Sequence, residues 1–328
     1  MGKINDEFSK TVCFIYPSVA EATHPSGSSL GGTGFFVTTQ GAIVKSLNFT
    51  YVVTNAHVIE KFIANGSTKI VLRVNTNSGL IENIETDVGH WVKHPLGDDI
   101  AAYIINRDEN WSTKTIPSEK FFFSKEIMDR YSIGVGDDTI TFGRFAPHSG
   151  VLSNLTSVRF GRIAMNPIEP VIQTDRLDYG QESFIVETYS IGGYSGSPVF
   201  VEVEPDSRAS TETMPERRAY LLGLDWGHFN IDGRVTNTPS SRVQIPTGMM
   251  GVVPAWKIQE VLDSPIFRII RSTIEPYWEE AFSNIGVDLE STNIDDDLQA
   301  QLKLEYLRIK ESHQSTGNHI NPGSIQQT

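Results

Sequence analysis

Between about residue 10 and residue 255 the chain is a succession of short segments rich in β-branched and aromatic residues, separated by Gly, Asn and Pro. "GTGFFVTT", "GAIVKS", "TYVVTNA", "KIVLRVN", "DIAAYII" and "DTITFG" come first, and "SFIVETYS", "SPVFVEV" and "AYLLGLDW" continue the pattern. Such segments read as strands, and the residues between them as turns. Many short strands at this spacing suggest a barrel or a sandwich. They fall into two groups around "SKEIMDRYSIGVGDD" (124–138), which puts a barrel boundary near residue 130.

After Pro254 the pattern changes. "AWKIQEVLDS" has helical character with a proline just before it, where a helix tolerates one. "PIFRIIRSTIEPYWEEAF" and "DDDLQAQLKLEYLRIKESH" follow as further helices. In the last of these Leu298, Leu302, Tyr306 and Ile309 form an apolar stripe, and Asp295 to Asp297 suit the positive end of the helix dipole. The stripe is expected to dock on its own domain. The charged, strand-poor segment 204–218 reads as a long exposed hairpin loop, and residues 313–328 read as disordered.

A chain of 328 residues with 39% hydrophobic and 20% charged residues can bury one large core or two modest ones. Its net charge of −13 supplies no basic stripe to neutralise phosphates, which argues against nucleic acid as a partner. Cys13 is the single cysteine, so an intrachain disulfide framework is excluded and a reducing compartment is expected. The polar start "MGKINDEFSK" and the short "VCFIY" do not make a secretory leader, and no apolar run is long enough to span a bilayer. A cytoplasmic location without membrane contact is the expectation. The sequons at Asn48, Asn65, Asn110 and Asn154 are then chance occurrences.

The short stretch "IGGYSGSPVF" (191–200) raises a chemical question. Ser195 stands on a glycine-lined turn, where it could be a nucleophile or a plain turn residue. A serine nucleophile needs a histidine to take its proton and a carboxylate to orient that histidine. The order that begins with serine wants G-x-S-x-G and a following helix, but here Ser197 takes the fifth place and a strand follows. The order that begins with an acid has only Asp6 ahead of His57, in a polar tail. What remains is His, Asp, Ser. "YVVTNAHVIE" puts His57 where the chain leaves a strand, "HPLGDDIAAYII" puts Asp98 and Asp99 directly before one, and "GGYSGSPVF" brings Ser195.

Together these stretches resemble the chymotrypsin-fold serine peptidases, in the style of the HtrA-type and glutamyl-endopeptidase-like bacterial members. "GTGFFV" is similar to the family's first-barrel strand and "VVTNAHVI" to its histidine motif. "DDIAAY" is similar to the acid motif, "GYSGSP" to the nucleophile motif, "LLGLDWGH" to the substrate-binding strand, and "MGVVPAWKIQEVL" to the last strand and closing helix. The resemblance spans roughly residues 10–263. It implies an all-β fold of two six-stranded antiparallel β-barrels, at about 10–125 and 130–255, with a closing helix at 255–263. A helical extension at 264–312 and the tail complete the chain.

The resemblance further implies that Ser195 attacks the scissile carbonyl, that His57 is general base and then acid, and that the acid preceding Ile-Ala, Asp99 rather than Asp98, holds the imidazole. Gly193 and Ser195 are implied as oxyanion-hole donors. Tyr189 is implied at the floor of the primary pocket, and Asp225, Trp226 and Gly227 along its wall, where they also pair with substrate backbone as an added strand. Asp225 could place an acid in the pocket or point at the histidine network. His228 could recognise an acidic substrate side chain or be an ordinary loop histidine at a strand end. Tyr194 stands where secreted members carry the acid that binds a newly freed N-terminus, so activation by that ion pair is not expected.

No metal and no cofactor is implied. His90 and His94 in "HWVKH" have a helical metal spacing, but they sit in a strand-like stretch, and "GVGDDTI" lacks the Lys and helix of a phosphate loop. The expected function is a serine endopeptidase with a polypeptide substrate and narrow or partner-gated activity. A regulatory protein contact through 264–312 or 204–218 belongs to that expectation. A peptidase-like binding module and a non-peptidase acyl hydrolase are the other readings of the same residues.

Overall fold

A computed structural model describes residues 6–24, 30–173, 179–188, 193–203, 218–234, 242–288 and 296–315. The N-terminal sheet contains β1 (Val12–Tyr16), β2 (Gly32–Gln40), β3 (Asn48–Thr54), β4 (Lys69–Asn75), β5 (Ile81–Asp87), β6 (Val92–Lys93), β7 (Ala101–Ile105) and β8 (Ile116–Pro117). Their order is β5-β4-β1-β2-β3-β7-β6, and β8 adds parallel to β2 at Val37 and Thr38. The apolar run of β1 lies between β2 and β4, with all five residues buried.

This sheet has no hydrogen-bonded ladder between its edge strands β5 and β6 among the described residues. Only residues 88–91 separate those edges in sequence, so the sheet must curl until they adjoin. Trp91 fastens that corner. Its indole N–H donates to Thr86 Oγ1 of β5 at 3.0 Å, and its ring lies 5.5 Å from that of Tyr103 on β7. The first half therefore curls as an open, eight-stranded sheet rather than a six-stranded closed one.

The second sheet does close. β9 (Asp138–Arg144) and β10 (Thr156–Met165) are followed by β11 (Val171–Ile172) and β12 (Gly180–Gln181), which form a small two-stranded sheet of their own. Then come β13 (Phe184–Glu187), β14 (Pro198–Val203), β15 (Arg218–Arg234) and β16 (Arg242–Pro254). The barrel is antiparallel, in the order β10-β13-β16-β15-β14-β9. Its core is aromatic: Phe142 and Phe200 meet edge to face at 5.8 Å, and Phe8 from the N-terminal 3₁₀ turn packs 4.4 Å from Phe200.

Helices occupy the connections: α1 (Val19–Ala22), α2 (Ala56–Ala64), α3 (Ser118–Phe121), α4 (Lys125–Arg130) and, after β16, α5 (Ala255–Leu262). The last buries Ala255, Ile258, Val261 and Leu262, an apolar face at helical spacing.

A separate compact unit joins Thr39–Phe49 to the chain beyond Pro265. Within it, α6 (Pro265–Ile285) and α7 (Asp296–Ser315) pack together. "GAIVKS", expected as a strand, is here the tip of the β2–β3 connection. Its Ala42 and Ile43 N–H groups donate to the Glu275 carboxylate at 3.0 and 2.6 Å, and Val44 is buried with Ala281, Phe282, Leu302 and Ile309. β-branched residues promise burial, and here helices rather than a neighbouring strand provide it. The stripe of Leu298, Leu302, Tyr306 and Ile309 joins the same cluster, and Tyr306 stacks on Trp278 at 4.6 Å. Residues 313–315, expected in the disordered tail, form the end of α7, and residues 204–217, Asp295 and the tail from 316 lie outside the described residues. Among the described residues no helix is long and apolar enough to cross a membrane.

Candidate active site

His57 sits in the first turn of α2, where the chain leaves β3. Asn55 is the N-cap residue of that helix, yet its side chain does not cap. It donates instead to the Asp99 carbonyl at 2.9 Å. The Asp99 carboxylate accepts twice from His57, from the backbone N–H at 2.8 Å and from ring Nδ1 at 2.6 Å. A carboxylate accepting at Nδ1 fixes the proton there and leaves Nε2 as the basic nitrogen. The Asp99 N–H in turn donates to Gln181 Oε1 at 2.6 Å, and Gln181 is held by Gln173 at 2.7 Å.

Asp98 faces elsewhere. Its carboxylate lies 3.4 Å from His94 Nδ1 and 3.6 Å from Lys257 Nζ on α5, and Glu260 closes the group through His94 Nε2 at 2.9 Å. Burial raises the Asp98 pKa, and the neighbouring His94 and Lys257 pull against that rise. The cluster ties the loop before β7 to α5. His94, with its side chain fully buried, belongs to this ion-pair group, and no group of His, Cys, Asp and Glu among the described residues could hold a metal ion.

Ser195 lies on the turn that leads into β14. Gly193 adopts φ +106° and Gly196 φ +88°, left-handed conformations that favour glycine. A Cβ at Gly193 would also stand 2.7 Å from the Arg144 carbonyl, and one at Gly196 2.0 Å from the Thr33 carbonyl. The turn is anchored through its carbonyls. Thr33 on β2 donates its N–H to Ser195 O at 2.9 Å and its hydroxyl to Gly193 O at 2.8 Å, while that hydroxyl accepts from Arg144 N–H at 3.0 Å. Gly196 N–H donates to Asp225 O and Asp225 N–H to Ser197 O, each at 2.9 Å.

With its carbonyls held, the turn leaves the N–H groups of Gly193 and Ser195 without an acceptor among the described residues. Ser195 and Val58, the residue after His57, flank Gly32, whose absent side chain would touch Val58 Cγ1 at 3.1 Å and Ser195 O at 3.2 Å. No hydrogen bond joins Ser195 Oγ to His57 Nε2 among the described residues. Such bonds often tighten only when substrate arrives.

Tyr194 is fully buried between the two amides. Its hydroxyl bonds Ser157 Oγ, its ring carries the Arg159 guanidinium 4.2 Å above the centroid, and Gly143 makes room for it. Tyr194 is thus a phenol held from β10 by Ser157 and Arg159.

Asp225 on β15 is also fully buried, and neither carboxyl oxygen has a hydrogen-bond partner meeting ordinary geometry among the described residues. Burial pushes its carboxyl well above the usual range, Asp99 adds to the rise, and the Gly227 N–H and Arg159 offset part of it. A cavity of about 430 Å³ opens beside β15, lined by Phe160, Thr188, His228, Phe229 and Met249 among others. Burial lowers His228 to about 4. Asp225 and Trp226 do not line this cavity. The Trp226 indole turns to Ser183 Oγ at 3.0 Å. Gly227 is half-buried with open space beside it, and Tyr189 lies outside the described residues.

No protein-family model and no curated protein matches the chain. Among solved structures it is similar to Deg5, at 15% identity and TM-score 0.42 over 74% of this chain and 85% of that one. It is also similar to the Rv3671c protease from M. tuberculosis, active form, at 17% identity and TM-score 0.41 over 78% of this chain and 80% of that one. The inactive form of that protease gives 16% and 0.40 over 78% and 88%. Likeness of this degree carries no argument about chemistry, which rests on the chain's own geometry.

Proposed function

We propose that the chain is a serine endopeptidase. The observation that carries this reading is the pairing of His57 with Asp99 beside a turn whose Gly193 and Ser195 amides have no acceptor among the described residues. In the proposed reaction Ser195 Oγ bonds to the scissile carbonyl carbon as His57 Nε2 takes its proton. The carbonyl π pair moves onto oxygen, where the two amides receive it. The His57 proton then passes to the leaving amine as the C–N bond breaks, leaving an acyl-enzyme. Water repeats the sequence in the second half and restores the Ser195 hydroxyl. Asp99 holds the ring and stabilises the imidazolium without taking a proton.

The buried Cys13 and the absence of any other cysteine support a reducing, cytoplasmic setting, where narrow or partner-gated cleavage suits an endopeptidase. The α6–α7 unit is the proposed regulatory contact. A fluorophosphonate probe tests the chemistry: wild type is expected to label and Ser195→Ala not to. A peptide library then separates substrates. Failure of the wild type to label would refute the enzyme reading, and hydrolysis of small esters with every peptide spared would replace the peptidase by an acyl hydrolase.

A further inference from the structure

Asp99 has four hydrogen bonds to described residues. Three of them run to Asn55 and His57: its carbonyl accepts from Asn55 Nδ2 at 2.9 Å, and its carboxylate from the His57 N–H and Nδ1. Those bonds join the acid to the segment that carries the histidine, so they follow a shift of that segment rather than resist it. The fourth comes from elsewhere. The Asp99 N–H donates at 2.6 Å to Oε1 of Gln181, on β12.

Gln181 is fully buried, and Gln173 Nε2, next after β11, donates to the same oxygen at 2.7 Å. Two donors converging on one atom fix which end of the amide is oxygen. The other end, Nε2, is buried with no hydrogen-bond partner among the described residues. An orphaned buried amide nitrogen opposes folding. A methionine at 181 would avoid that penalty but offer the Asp99 N–H no acceptor. The oxygen is therefore the part of this side chain with a task.

Neighbouring contacts repeat the pattern. Gln173 Nε2 also reaches the Gly97 carbonyl at 3.3 Å, and the Tyr179 hydroxyl donates to the Asp98 carboxylate. Gly97, Asp98 and Asp99 are thus held in turn by side chains on or beside the β11–β12 pair. A two-stranded sheet is marginally stable by itself, so these contacts steady the pair and the acid loop together.

We propose that Gln181 is a positioning residue for Asp99: braced by Gln173, it anchors the acid from outside the histidine's own segment and sets the angle at which the carboxylate meets His57 Nδ1. The effect on rate rests on the peptidase reading, while the His57–Asp99 bond can be observed without turnover.

Three variants of the full chain test this: Gln181→Met, Gln181→Glu and Gln173→Met. The first removes the acceptor at similar size. The second keeps it, because a carboxyl this buried stays protonated at neutral pH and presents the same C=O. One readout is the low-field proton resonance of the His57 Nδ1–H in NMR. The other is the rate of fluorophosphonate labelling at saturating probe. In Gln181→Met the resonance is expected to move upfield or vanish. Its labelling rate should fall about 10–100-fold, with the half-saturating probe concentration within about threefold of wild type. Gln181→Glu should recover most of both. If Gln181→Met does not fold, Gln173→Met carries the test: it leaves the oxygen in place but unbraced, and should slow labelling by about threefold to tenfold. A folded Gln181→Met with the wild-type resonance and rate overturns the proposal. So does a Gln181→Glu as impaired as Gln181→Met, or an unaltered Gln173→Met where Gln181→Met is unfolded. A wild type that does not label refutes the peptidase reading, and the resonance then decides the proposal alone.

Discussion

Thr33→Val removes one hydroxyl from a fully buried site and leaves a side chain of nearly the same shape. Two contacts go with it, the bond to Gly193 O at 2.8 Å and the bond from Arg144 N–H at 3.0 Å, while the Thr33 N–H still holds Ser195 O. Each lost hydrogen bond is worth about 0.5–1.5 kcal/mol net, so unfolding free energy should fall by about 1–3 kcal/mol. The kinetic effect has a different origin. Released at its carbonyl, Gly193 is no longer held at the φ and ψ that aim its N–H, which lies on the preceding peptide unit, at the developing oxyanion. Complete loss of such a donor costs about 3–4 kcal/mol, and a weakened one less, which sets the expected fall in kcat at about 10–100-fold. KM should stay within about twofold, because the donor acts on the transition state rather than on the bound ground state. Peptide hydrolysis and the second-order rate of fluorophosphonate labelling measure the loss, and urea denaturation measures stability. Thr33→Ser restores the hydroxyl and should restore kcat. Wild-type kcat in a destabilised Thr33→Val, or a Thr33→Ser as slow as Thr33→Val, would refute the argument.

The two adjacent acids should separate cleanly: Asp99→Asn is expected to lower kcat by about 10⁴, and Asp98→Asn to leave kcat within about threefold while costing about 1–3 kcal/mol of stability through its pairs with His94 and Lys257. Equal kinetic losses in steady-state assays of the two variants would contradict the division. Asp225 carries a raised pKa, so it stabilises the fold below the unfolded value near 4 and loses that contribution as pH rises. Asp225→Asn should therefore gain melting temperature over wild type from about pH 4 upward, with the difference widening; a constant offset in thermal scans would count against it.

His57 and the aspartate pair were legible in the sequence because each stands at a strand end, next to a recurring local pattern. Their partners were not. Nothing local in "GTGFFV" distinguishes the hydroxyl of Thr33 from any strand threonine, since its role comes from Gly193 and Arg144, far along the chain. Ser157 and Arg159 reach Tyr194 from β10, whose pairing with β9 sets Ser157 opposite Gly143, the glycine that leaves room for the ring. "GAIVKS" misleads for a related reason: β-branched residues record a need for burial without saying which element meets it, and Val44 meets it on helices. Chain separation also hid the ion pairs of Asp98, whose partner Lys257 belongs to the helix after the last strand.

Tyr194 takes its support from Ser157, Arg159 and Gly143, and the carbonyls beside it from Thr33, all of them interior positions of folded strands or their ends. The turn is thus tied to both sheets at once, to β2 through Thr33 and to β9 and β10 through Gly143, Ser157 and Arg159. On the peptidase reading, what a turn held in this way leaves to govern is access: which chains reach Ser195, and in what conformation they arrive.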